Sequence, residues 1–220
     1  MKHSKRNERE LETIWTLETS VARIASQFKG ERAFNYSHEI EIAAHLMNLV
    51  RDLTDSTESV ANNLIHLTRM EWRCINNRDI DLVIIHPNAA KLAREHWGTI
   101  RSKAAKILPL LCAIQLKRGG GAVTPLGDVK KDLRDLDYVY NSETLEQPVC
   151  YFLDWIDSSL RRRPKQMNDY RIIKNELEAW CKESPETRRA LILSRDRIGC
   201  VFPLGAWLVG PLPVGVEDGM

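Results

Sequence analysis

The sequence predicts an α/β domain in which a central mixed β-sheet is flanked by helices, in the order α-β-β-β-α-β, with extra helices at both ends. Three observations carry this. Apolar residues first recur at helical spacing, over residues 8–28 and 37–53. The period then falls toward two through residues 64–86. Two nearly continuous apolar runs follow, at 109–117 and 148–156, with an amphipathic segment between them. That is the pattern of strands covered on both faces and joined by a crossover helix.

Taken in order, the first helix carries Leu11, Ile14, Leu17, Val21, Ile24 and Phe28 on one stripe and ends before Gly30. The second has Ser37 as N-cap and a stripe of Ile40, Ala43, Met47 and Val50, broadened by Leu46. Residues 64–75 and 79–86 read as a hairpin across the turn chemistry of Asn76-Asn77-Arg78, with Pro87 ending the second strand. Residues 88–106 have helix-like content around Gly98. After the strand at 109–117 and the run Gly119-Gly120-Gly121, a helix over 126–140 turns Val129, Leu133, Leu136 and Tyr140 inward. The strand at 148–156 leads to a basic loop, 161–165, and a helix lined by Ile173, Leu177, Trp180 and Cys181. The tail mixes short strand-like runs with Gly and Pro. Trp15, Trp72, Trp155, Trp180 and Trp207 are expected in the core.

The chain has 220 residues, enough for one domain or one domain with an appendage. Hydrophobic residues at 43% with 28% charged exclude wholesale disorder. Lys+Arg 32 against Asp+Glu 30 leaves +2, so any nucleic-acid partner must be met by local clusters rather than bulk charge. No apolar stretch reaches the roughly 18 residues of a membrane span, and the charged N-terminus lacks a signal-peptide core. The five cysteines, odd in number and without a CxxC, argue against a disulfide framework or a zinc site. A reducing, cytoplasmic setting with no membrane partner is expected.

The residues that could carry chemistry stand on the strands. Side chains alternate along a strand, so Gln115 and Lys117 share one face, as do Asp79 and Asp81. Placing a carboxylate, an amide and an ammonium in an apolar sheet costs several kcal/mol, roughly, unless each is partnered. A hard cation such as Mg²⁺ offsets that cost, because it takes carboxylate, amide and backbone oxygens. Lys117 could then hold or help to deprotonate an attacking water. Without a cation, an Asp at a strand start reads as a turn acid and a Lys at a strand end as a snorkelling side chain.

The order helix–hairpin–strand–helix–strand, with Asp81 on the second hairpin strand and Gln115-Leu116-Lys117 on the next, resembles the PD-(D/E)XK nuclease superfamily in a Q-x-K variant. The segment DVKKDLRDL at 128–136 is similar to that family's following helix. The resemblance spans roughly residues 33–157. It implies a restriction-endonuclease-like core over 33–160, an N-terminal helical extension over 1–32 and a C-terminal extension over 161–220 packing on the core. It further implies a Mg²⁺-dependent deoxyribonuclease, with Mn²⁺ as substitute, acting in restriction, phage defence or repair, and a homodimer by analogy with restriction enzymes.

By the resemblance, Asp81 is the principal metal ligand, Gln115 adds a side-chain oxygen, Leu116 its backbone carbonyl, and Lys117 orients the water. The family often adds a Glu from the preceding helix. Glu39, beside the apolar stripe, is preferred to Glu41, which projects away from it, and Glu71 on the first hairpin strand is a further acid. Asp79 is the alternative to Asp81. Gln115 departs from the commoner acid and removes one negative charge, which either weakens metal affinity or marks a DNA-binding or assembly module without cleavage. Lys130, Lys131, Arg161, Arg162, Arg163 and Lys165, with Arg118 beside the site, are the leading phosphate contacts. His38, Glu41 and His45 share a helix face that reads as solvated rather than metal-binding, and the glycine run lacks the GK[ST] of a phosphate-binding loop.

Overall fold

The computed structural model describes residues 8–28, 39–54, 68–73, 79–86, 109–119, 124–142, 147–156, 164–185, 187–194 and 198–200. Helices α1 (Glu8–Phe28) and α2 (Glu39–Thr54) precede strands β1 (Thr68–Arg73), β2 (Asp79–Ile85) and β3 (Leu110–Gly119). Then follow α3 (Leu126–Tyr140), β4 (Val149–Ile156), α4 (Pro164–Glu183), β5 (Arg188–Ser194) and β6 (Ile198–Cys200). The six strands form one sheet whose spatial order is the sequence order. β2 runs antiparallel to both of its neighbours, β1 and β3; β3, β4 and β5 run parallel, and β6 turns back antiparallel. This is the α/β architecture with a mixed open sheet that the period change predicts, and the hairpin falls where expected. Among the described residues, no helix is long and apolar enough to cross a membrane.

The two apolar runs become the centre of the sheet. Every residue from Leu110 to Leu116 and from Val149 to Asp154 is buried, because helices cover both faces. α1 and α2 pack on each other on one side, and α3 and α4 on the other. Two side-chain bonds fix which strand positions face which layer. Tyr151 donates its O–H to Glu18 of α1 at 2.9 Å, whereas the Cys150 thiol faces the Leu136 carbonyl of α3 at 3.8 Å. Odd positions of β4 therefore look toward α1, and even positions toward α3. In β3 the register matches Gln115 with Phe152 and Lys117 with Asp154, so these four share the α3 side.

α3 follows its predicted face: Val129, Leu133, Leu136 and Tyr140 are buried, with Val139. Its first turn is closed by the Asp128 and Val129 N–H groups donating to the Pro125 carbonyl, and Asn141 ends it by donating Nδ2 to the Asp137 carbonyl. α4 likewise buries its predicted Ile173, Leu177, Trp180 and Cys181, whereas α2 and α1 depart from expectation. In α2 the buried residues are Ile42, Ala43 and Leu46, while Met47 is half-buried. His45 is also half-buried, so it does not share a solvated face with the exposed Glu41.

In α1, Leu17 and Val21 join the core, but Leu11 is 54% and Trp15 41% exposed, contrary to their expected burial. Glu10, Thr13, Thr16, Glu18 and Ser20 are buried instead. The reason lies in what α1 covers. Glu10 pairs with buried His86 at 3.3 Å, and Glu18 meets Tyr151 and Arg189. Polar groups of the sheet recruit polar residues of the helix, and the apolar stripe yields to them. Burial pushes the Glu18 carboxyl from the ordinary 4.5 up to about 8, against the opposing pull of the Tyr151 hydrogen bond and of Arg189. Burial also raises Tyr151 well above its usual value, with Glu18 adding to the effect, so its phenol stays a donor.

On the opposite face Arg188 ties three elements together. Its guanidinium pairs with Asp137 of α3 at 3.0 Å and with Glu183 of α4, and donates to the Trp180 carbonyl at 3.1 Å. It also lies 5.3 Å from the ring centroids of both Tyr140 and Trp180. Trp180, buried as expected, donates its indole N–H to the same Asp137 at 2.7 Å. Cys181 beside it is held as a thiol, its pKa pushed by burial to about 12. The side chains of Trp72 and Trp155, and all of Trp207 and of 88–106, lie outside the described residues.

Candidate active site

The ladder between β2 and β3 stops at Leu82 opposite Ile114. One step further on, Asp81 and Gln115 stand opposite each other, and side chains take over the pairing. The Leu116 N–H donates to Asp81 Oδ2 at 2.7 Å, and Gln115 Nε2 donates to the Asp79 carbonyl at 3.0 Å. Two side-chain bonds thus close the gap where the strands part. In a strand the N–H and C=O of one residue leave on the same side, so the Leu116 carbonyl also faces Asp81. The structure turns Asp81, half-buried, toward β3 and leaves the Asp79 carboxylate exposed. Of the two acids, Asp81 is the one brought to Gln115 and Leu116.

Lys117 extends this row. Its Nζ lies 2.9 Å from Asp132 Oδ2, on the inner face of α3, with side-chain exposures of 18% and 7%. Across the parallel register stands Asp154, fully buried, whose Oδ1 accepts the Thr124 hydroxyl at 3.0 Å. The site therefore comprises Asp81, Gln115, Lys117, Asp132, Asp154 and Thr124. It lies toward the carboxyl ends of the parallel strands β3 and β4, where open α/β sheets place their ligands. Of its carboxylates, Asp132 lies within ion-pair distance of the Lys117 ammonium, while Asp81 accepts the Leu116 N–H and Asp154 the Thr124 hydroxyl.

Asp132, Asp154 and Thr124 are absent from the sequence reading, although one signal was present. Asp154 interrupts an otherwise apolar strand, and a buried acid in such a run requires a partner. Asp132 carries no such signal, because it lies one position from Leu133 among the charged residues of DVKKDLRDL.

The other expected residues are placed as follows. Glu39 opens α2, on the side of the sheet away from Gln115 and Lys117, and its side chain lies outside the described residues. Glu41 is exposed on the same helix. Glu71, between Met70 and Trp72 of β1, stands opposite Asp81 in register, its side chain likewise outside the described residues. Arg118 alternates to the α1 side, away from Lys117. Lys130 and Lys131 are exposed on α3, with Lys130 3.3 Å from Glu176 of α4. Arg161, Arg162 and Arg163 lie outside the described residues, as does the side chain of Lys165 in the first turn of α4.

Among the described residues, no three His, Cys, Asp or Glu side chains gather as a metal-binding group. The donors at the gap nevertheless fit a hard divalent cation in kind: one carboxylate, one amide oxygen and one backbone carbonyl. Gln115 gives its amide nitrogen to Asp79, which leaves Oε1 as its acceptor for a ligand. Such a set suits Mg²⁺, which is held by one or two carboxylates and keeps several waters. Comparison with family models, curated protein sequences and solved structures finds no match to this chain.

Proposed function

We propose that this protein is a metal-dependent DNA endonuclease of the PD-(D/E)XK type with a restriction-endonuclease-like core. The observation that carries the proposal is the convergence of Asp81, Gln115 and Leu116 where β2 and β3 part, with Lys117 two positions further along β3 on the Gln115 face. The order of helix, antiparallel hairpin, third strand, helix and parallel strand supports it, since the resemblance implied that order.

Asp81, Gln115 Oε1 and the Leu116 carbonyl would hold Mg²⁺ or Mn²⁺. When bound there, the ion supplies charge neutralisation at a phosphate and a more acidic water. The protein contributes orientation. The Leu116 N–H fixes one carboxylate oxygen of Asp81, and the Asp79 carbonyl fixes the amide of Gln115. Lys117 presents an ammonium with three donors, which can hold the water nucleophile or a phosphate oxygen during in-line displacement of the 3′-oxygen. Lys130 and Lys131 meet the DNA backbone from α3, without reading its sequence. A homodimer would bring two such sites to one duplex. Restriction, phage defence and repair in a cytoplasmic setting are the roles that suit this activity.

A second reading is a DNA-binding or assembly module that keeps the nuclease fold without cleaving. It is favoured by the absence of a three-acid cluster among the described residues and by the structural use to which Asp81 and Gln115 are already put. Supercoiled plasmid incubated with Mg²⁺ or Mn²⁺, beside EDTA controls, separates the two readings. The nuclease nicks or linearises it, and Lys117→Ala and Asp81→Ala each abolish multiple-turnover cleavage while the fold is retained. Full activity in either variant sinks the assignment. No cleavage together with no calorimetric heat of metal binding at millimolar concentration favours the second reading.

A further inference from the structure

We propose that Asp132 is the positioning residue of Lys117: from the inner face of α3 it holds the ammonium over the gap between β2 and β3, so that Lys117 acts as an aimed charge. The inference rests on the nuclease reading and adds to it a residue outside the motif.

The case begins with the position of the acid. Val129, Leu133, Leu136 and Val139 make the inner face of α3 apolar, yet Asp132 within it is only 5% exposed. A carboxylate there is costly unless it is paired, and its pair is Lys117 at 2.9 Å. Lys117 itself has no need of such a partner for solvation. A lysine at a strand end reaches water along its own stem. Its stem has several rotatable bonds, so an untethered ammonium would sample many positions. The ion pair selects one of them.

The helix that carries Asp132 is tethered as well. Thr124, two residues before α3, donates its hydroxyl to Asp154 at 3.0 Å. Asp154 is the register partner of Lys117 on the neighbouring strand. The acid that aims the lysine is thereby referred back to the same sheet position from the other side. Around Lys117 the charged groups are Asp132 on α3, Asp154 on β4, and Asp79 and Asp81 on β2. Of these, Asp132 lies 2.9 Å from Nζ, while Asp81 accepts the Leu116 N–H and Asp154 the Thr124 hydroxyl.

The test compares kcat and KM for plasmid cleavage by wild type, Asp132→Asn and Asp132→Glu, with thermal unfolding as the check on fold. A misaimed catalytic group costs on the order of 10- to 100-fold in rate. The Asn variant is therefore expected to lose about that much in kcat, with KM for DNA and the metal requirement changed less than about threefold. The Glu variant, which restores the charge, is expected to recover most of kcat. If Asp132→Asn does not fold, Asp132→Ser, small enough to admit water beside Lys117, is read for the same split. A wild-type kcat in the Asn or Ser variant overturns the inference, as does a loss falling mainly on KM, or a Glu variant no better than Asn. Wild-type protein that fails to cleave removes the nuclease reading and this inference together, whereas active wild type with an indifferent Asp132 removes only the inference.

Discussion

Glu18 makes the stability of this protein depend on pH in a direction opposite to that of most carboxylates. In the folded chain its pKa is raised from 4.5 to about 8 by burial beneath α1. The folded state therefore holds a proton that the unfolded chain releases. The contribution of Glu18 to stability is complete below about pH 4.5, falls as pH rises, and is lost above about pH 8. Over that window the loss amounts to about 5 kcal/mol at roughly 1.4 kcal/mol per pH unit. The isosteric Glu18→Gln keeps an acceptor for the Tyr151 O–H and removes the titration. Urea or thermal unfolding of both proteins from pH 5 to 9 isolates the effect as a difference curve. At about 2–4 °C per kcal/mol for a chain of this size, the wild type loses on the order of 10–20 °C relative to the variant. The ceiling is the free energy with which α1 docks, because undocking that helix alone releases the strain. A flat difference curve between pH 5 and 8.5, or a wild type that gains on the variant as pH rises, refutes the reasoning.

Other perturbations address the remaining parts of the fold and site. Arg188→Met keeps an apolar stem between Tyr140 and Trp180 but leaves Asp137 without its cation. A loss of about 2–4 kcal/mol in urea unfolding is expected, and a change below about 0.5 kcal/mol would show that the three-element tie carries no energy. Lys130→Ala, which breaks only a surface pair with Glu176, is expected to change stability by less than about 1 kcal/mol. On the nuclease reading it lowers DNA affinity uniformly across sequences and reduces the salt slope of binding by about one, measured by fluorescence anisotropy.

Much of the fold could be read from the sequence because its central elements are simple. The runs around Ala113 and Phe152 can only be strands buried on both faces, and α3 turns its predicted residues inward. The outer helices were less legible. Counting apolar residues in α1 selects Leu11 and Trp15, but the helix must also satisfy Tyr151, Arg189 and His86, which lie more than sixty positions along the chain and whose demands no local window registers. The site divides in the same way. Asp81, Gln115 and Lys117 follow from strand alternation, whereas Asp132 and Asp154 matter through a helix–strand contact and a parallel register that exist only in three dimensions.

The order of the sheet bears on how the chain assembles. Each strand lies beside its predecessor, so the sheet grows by adding one neighbour at a time and never has to insert a strand between two already paired. Contacts of short sequence separation close early and at low entropic cost, and during synthesis β1 to β3 can pair before α4 has been made. α1 is the exception. Made before the sheet, it meets Tyr151 only across a sequence separation of 133 residues. Its contacts with β4 and β5 wait for those strands, so a helix made before the sheet finishes docking only once the sheet is there.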